Sequence, residues 1–173
     1  LFGKVNPSGK LPLTIPRSVG QLQMVYNHKP TAYIHKYNTE KKVPLHPFGF
    51  GLSFSKFELS EPKVSKVDFT GIDDKITVTV TVKNTSNVDG EEVVQLYIRD
   101  EISSYTRPVK ELKGYKRVSV KAGASKSVEI PISAESLAMY DKDFNFVVEP
   151  GDFTIMTGNS SAVKTLKTTT ISV

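Results

Sequence analysis

Between residues 75 and 84 the chain reads KITVTVTVKN, with Ile76, Val78, Val80 and Val82 alternating with Thr77, Thr79 and Thr81. A period of two in β-branched residues fits a half-buried strand. It does not fit a helix, whose apolar positions fall three and four apart. The same grammar recurs downstream. EEVVQLYIRD sets Val94, Leu96 and Ile98 on one face, ELKGYKRVSVKAG ends in Val118 and Val120, and SKSVEIPIS offers Val128, Ile130 and Ile132. Pro131 has no amide hydrogen, which confines that strand to an edge or a bulge. NFVVEPGDFTIMTG holds a turn signal at 149–152 between Phe146/Val148 and Phe153/Ile155, and TLKTTTISV reads as a last strand. Turns at 87–90, 122–124 and 149–152 divide about seven short strands, the pattern of an all-β two-sheet sandwich. SAESLAMYD is the one helix-like interruption, about one turn long, with Ser133 as its candidate cap.

The first 57 residues follow another grammar. NPSGKLPLTIPRS carries Pro7, Gly9, Pro12 and Pro16, so LPLTIP is a short strand at best. VYNHKPTAYIHKYNTEKK is polar and tyrosine-rich. An irregular stretch this long is unusual inside a compact domain and reads as a strap laid over a partner domain, burying Tyr26, Tyr33 and Tyr37. Eight Lys/Arg stand here against one acid, Glu40, while the remainder carries fifteen against seventeen. The eight are scattered singly apart from Lys41-Lys42, unlike the clustered cations of a nucleic-acid arm. They suit a surface facing solvent or an acidic neighbouring domain.

Chemistry is sparse. At 173 residues the chain can build one well-cored domain with an appendage. It has no cysteine, so no disulfide and no thiol chemistry. No apolar run approaches the roughly 18 residues of a membrane span. His28, His35 and His46 are seven and eleven residues apart, which matches no common metal signature. No metal, cofactor or nucleic acid is expected. Glu91 and Glu92 are adjacent on a strand and point to opposite faces, so they cannot flank one bond. Asp73-Asp74 lies in a turn, where such residues accept backbone amides. Ser8-Gly9-Lys10 lacks the strand and the glycine spacing of a phosphate loop. Asn84-Thr85-Ser86 fits a glycosylation acceptor, a motif common by chance. The chain starts at Leu1 with no methionine and no leader-like segment, and reads as a piece of something longer. From the residues, this is an accessory or interaction domain with no self-contained active site.

Four motifs in order go further. LFGKVNPSGKLPLTIPRSVGQ, YNHKP, PLHPFGFGLSF and NTSNVDGEEVVQLYIRD…RPVKELKGYKRV resemble the C-terminal part of glycoside hydrolase family 3, as in the bacterial three-domain β-glucosidases. The resemblance spans essentially the whole chain. It implies that residues 1–17 are the last strand and exit of an α/β sandwich domain, 18–55 a linker strap, and 56–173 a fibronectin type III-like β-sandwich. The partners it implies are upstream TIM-barrel and α/β sandwich domains of the same parent chain, with a β-glucoside or oligosaccharide as the parent's substrate. The parent would be a retaining glycosidase working with two carboxylates. Both lie upstream, so this piece would be inactive alone. A periplasmic or extracellular location follows from the resemblance too.

HPFGFGLSF, residues 46–54, corresponds to the family's aromatic joint, with His46 where tyrosine is more usual. Gly49 and Gly51 are expected to let backbone approach a neighbouring domain closely, with Phe48, Phe50 and Phe54 filling an interdomain seam. Arg107, extended before Pro108, is placed in that seam as a carboxylate clamp or an interface arginine. Tyr26, Asn27, His28 and Tyr37 combine aromatic faces with hydrogen-bonding tips and are candidates for stacking on a sugar. Interdomain packing is the alternative for them. A second class of function, a free-standing carbohydrate- or protein-binding module, would need Tyr97, Tyr105 and Tyr115 exposed together, in a chain without tryptophan.

Overall fold

A computed structural model describes residues 3–21, 24–30, 41–70 and 73–173. The expected sandwich forms. β1 (Phe57–Leu59) and β2 (Lys63–Val64) lie along one side of β3 (Lys75–Asn84), and β6 (Ser125–Ser133) pairs with its other side, all antiparallel. The facing sheet runs β10 (Lys167–Ser172), β9 (Asp152–Gly158), β4 (Gly90–Asp100), β5 (Glu111–Val120), again antiparallel. β6 is an edge strand, so Pro131 leaves no ladder bond unmade.

The core is where the alternation placed it. Ile76, Val78, Val80 and Val82 of β3 meet Val94, Leu96 and Ile98 of β4 across the interlayer, with Phe153, Ile155 and Ile171 closing one side. Gly114 of β5 faces Ile130 so closely that an added Cβ would stand 2.7 Å from its Cγ2. The sheets could not close to this distance over a larger residue there.

Four local readings are refined. β4 was expected to be half-buried, yet Val93, Gln95 and Tyr97 on its outer face are buried too, Tyr97 completely. The turn at 149–152 forms, but its flanks part company. β8 (Phe146–Val147) pairs with β7 (Met139–Tyr140) in a separate ribbon, and β9 joins β4. The helical interruption is the single turn α1 (Ala134–Leu137), and Ser133 stands at its N-cap position without a side-chain capping bond. Asn84 is fully buried, not a surface acceptor.

That asparagine staples the β3–β4 turn. Its Nδ2 donates to the carbonyls of Val88 (2.8 Å) and Val120 (3.1 Å), and its Oδ1 accepts from the Ser86 amide (3.0 Å) and hydroxyl (2.6 Å). The Asp73-Asp74 turn behaves as expected: Asp74 accepts the amides of Thr70 and Lys75 and pairs with Lys66. The Lys66 ammonium, then the Thr70 amide, hold its carboxyl well below the usual range.

Asn84→Ala strips donors from two carbonyls and is expected to destabilise by about 2–4 kcal/mol in denaturant titration.

Candidate functional site

What covers the outer face of β4 is the aromatic joint. Residues 11–15 run antiparallel to 45–50: Leu11 N–H donates to the Phe50 carbonyl (2.8 Å), Gly49 N–H to Leu11 (2.8 Å), and Ile15 and His46 exchange bonds of 2.8 and 3.2 Å. The proline-broken LPLTIP thus makes a ragged two-stranded contact, with one isolated β-bridge and no named strand. This doubled segment is pressed onto the sandwich.

Gly49 makes the press possible. It takes φ +78°, a left-handed value that costs a residue with a Cβ, and its own added Cβ would fall 2.0 Å from Gln95 Oε1. Gln95 is an outward residue of β4, 3% exposed. Its Nε2 donates to the carbonyls of Gly49 (3.1 Å) and Asn159 (3.0 Å), and its Oε1 accepts from the Tyr97 hydroxyl. Burial pushes the Tyr97 phenol above its ordinary range, so it stays a donor. Gly51 has the matching role on the other side, where an added Cβ would sit 2.3 Å from the Gly9 carbonyl oxygen. The close approaches expected of the two glycines are therefore to β4 and to the N-terminal segment of this same chain.

The aromatics follow. Tyr26 stacks on Phe48 at 4.2 Å and meets Tyr97 edge-on at 5.8 Å, while its hydroxyl accepts the Leu112 amide (3.3 Å). His46 stacks on Phe50 at 4.6 Å. Tyr26 and His28 are half-buried and Asn27 is exposed. The His28 carbonyl accepts the Val109 amide at 2.9 Å. Phe54 remains 53% exposed and Leu52 74%. Tyr33 and Tyr37 lie outside the described residues.

Polar anchors pin the N-terminal segment. Lys10 pairs with Glu92 at 2.6 Å, a carboxylate only 5% exposed that also accepts the Val93 amide. Asn6 donates to Ser55 (2.8 Å) and to the Asp89 carbonyl (2.9 Å), and accepts from Ser53 and the Phe54 amide. Arg107 finds its carboxylates inside the sandwich: Asp100 at 3.1 Å and Glu111 at 3.3 Å, with the Leu137 carbonyl at 2.8 Å. Among the described residues no group of three or more His, Cys, Asp or Glu could hold a metal ion.

The residues sequence reasoning passed over are Gln95, Glu92, Lys10 and Asn6. One signal was available. VVQLYI in β4 sets Val93 and Tyr97 outward as well as Val94, Leu96 and Ile98 inward, the mark of a strand covered on both faces.

Comparison with known proteins adds identity to geometry. Residues 1–54 match the glycosyl hydrolase family 3 C-terminal domain, and residues 92–161 the fibronectin type III-like domain. A putative β-xylosidase of Formosa agariphila is 47% identical over 93% of this chain and 21% of its own length. The periplasmic β-glucosidase of Salmonella typhimurium is 40% identical over 94% of this chain and 22% of its own. The solved structure of a β-glucosidase from Erythrobacter marinus superposes with a TM-score of 0.92 at 42% identity, covering 99% of this chain and 22% of that one. The chain thus spans about a fifth of the length of these relatives.

Gly49→Ala should cost about 2–4 kcal/mol, combining left-handed strain with the Gln95 clash. Gly9→Ala, whose Cβ meets nothing within 4 Å, serves as the control and should be near neutral. Urea titrations of the two variants compare them directly; equal midpoints would mean the joint does not constrain the sandwich.

Proposed function

We propose that this chain, which carries the C-terminal region of glycosyl hydrolase family 3, is a non-catalytic structural part of a longer β-glycosidase. It ties the end of an upstream α/β domain, residues 1–17, through the strap at 18–55 to the sandwich at 56–173. The observation that supports this most is the joint itself. Segments matching the family's C-terminal domain are fastened to β4 by the Gly49–Gln95 approach and the Lys10–Glu92 pair, and to the turn before it by the bond from Asn6 to the Asp89 carbonyl. Such a surface transmits support between domains, and among the described residues its acids are held in ion pairs. Asp74, Asp89, Glu91, Glu92 and Asp100 are each engaged by a cation.

Catalysis in this reading belongs to two carboxylates outside residues 1–173, acting on a β-linked glucoside or xyloside, the sugars named for the relatives. Phe54 and Leu52, exposed beside the joint, form the face that meets the upstream domains. Tyr26 acts by packing the strap rather than by stacking on sugar, since its ring is already held between Phe48 and Tyr97. A row of exposed tyrosines, which a free-standing module would use, is broken at the fully buried Tyr97. A periplasmic or extracellular site fits the Salmonella relative; no described helix is long and apolar enough to cross a membrane.

The test is hydrolysis of an aryl β-glucoside and an aryl β-xyloside by residues 1–173 and by the polypeptide as its gene encodes it. We expect turnover only from the latter, and loss of thermal stability there when residues 56–173 are removed. Turnover by residues 1–173, or a natural start at Leu1, would overturn the reading.

A further inference from the structure

Beside the joint, a cleft of about 560 Å³ opens between residues 24–28, 42–47 and 161–164. Its walls are largely apolar, with Val25, Val43 and Val163 respectively 49%, 54% and 76% exposed. Three lysines line it, Lys42, Lys110 and Lys164, and among the described lining residues there is no carboxylate. Lys42 and Lys164 are at the exposed rim. Lys110 is different: it is 8% exposed. Burial alone lowers the pKa of its ammonium, with no ion pair or hydrogen bond opposing the shift. Among the described lysines the next most enclosed, Lys10 and Lys113, each have an acid against them. A desolvated cation without a counter-charge is costly, and folds that keep one normally satisfy it from elsewhere.

We propose that the cleft is the socket for a carboxylate side chain, Asp or Glu, borne on an apolar-flanked segment of the domains that precede residue 1, with Lys110 as its buried counter-ion. The inference rests on the structural role proposed above. Charge and shape both favour this occupant. Lysine is a compact point charge that one carboxylate oxygen satisfies, and the rim lysines add attraction for an acidic segment. A free anion would neutralise Lys110 but leave the valine-lined walls in water, whereas a peptide segment covers both.

The experiment uses unmodified protein in two forms, the polypeptide as its gene encodes it and residues 1–173. Carbodiimide activation joins a contacting carboxylate and amine as an amide, and peptide mass mapping locates the link. Acetylation rates report access to each lysine. We expect an amide between Lys110 and an Asp or Glu outside residues 1–173, and acetylation of Lys110 about tenfold slower in the longer form, with Lys126 on β6 unchanged. Equal labelling of Lys110 in both forms overturns the inference. So does a link to Glu40, which would make the pair internal, or to a second copy. Hydrogen exchange at residues 50–54 separates this from the wider reading. Protection there in the longer form with Lys110 equally labelled removes only the socket, and protection at neither removes the structural role as well.

Discussion

The structure depends on one close approach, backbone at Gly49 against the Gln95 amide on the outer face of β4. A sandwich strand normally leaves that face to water. Here β4 presents Val93, Gln95 and Tyr97 outward, and all three are buried. They are covered because Gly49 lets the joint lie flat, and Gln95 then bonds the Gly49 carbonyl as well as that of Asn159 beside β9. Phe48, Tyr26 and Tyr97 pack in sequence behind it. The segment that looks like a linker is therefore part of the hydrophobic structure of the domain.

Electrostatics reinforce the same contact rather than create it. Lys10 and Glu92 form a pair shielded from solvent, and Asn6 gathers four hydrogen bonds from both sides of the joint. A shielded pair contributes modestly to net stability but is costly to break from one side. Its effect is to fix register: Lys10 reaches Glu92 only when Gly9 lies against Gly51 and Leu11 pairs with Phe50. Arg107 does a similar service within the sandwich, joining β4, β5 and the end of α1.

The structural role proposed for the chain grows from that arrangement. The N-terminal stretch and the sandwich are fastened along a continuous seam, while Leu52, Phe54 and the lysine-lined cleft stay open beside it. One side of the joint is satisfied within the chain. The other carries exposed apolar side chains and a buried lysine with no acid against it among the described residues, and it is this side that the proposed role covers with further protein.

By itself the sequence determined the sheets and the class. Alternation in 75–84 set Ile76 to Val82 inward, because period two allows one buried face, and Pro131 placed β6 at an edge because it has no donor to give. The ordered motifs carried the family likeness. Tertiary structure decided where the strap lies and what its glycines touch. Gly49 and Gly51 announced close contact without naming Gln95 or Gly9, since a missing Cβ specifies space and not its neighbour. Arg107 read as a surface or interface arginine, or as a clamp on a neighbouring domain's carboxylate; its acids instead lie within the sandwich, seven residues before it and four after, brought together by the β4–β5 pairing. Asn84-Thr85-Ser86 fitted a glycosylation acceptor of a kind common by chance, and Asn84 is a buried staple, because burial is set by long-range packing that three consecutive residues do not encode.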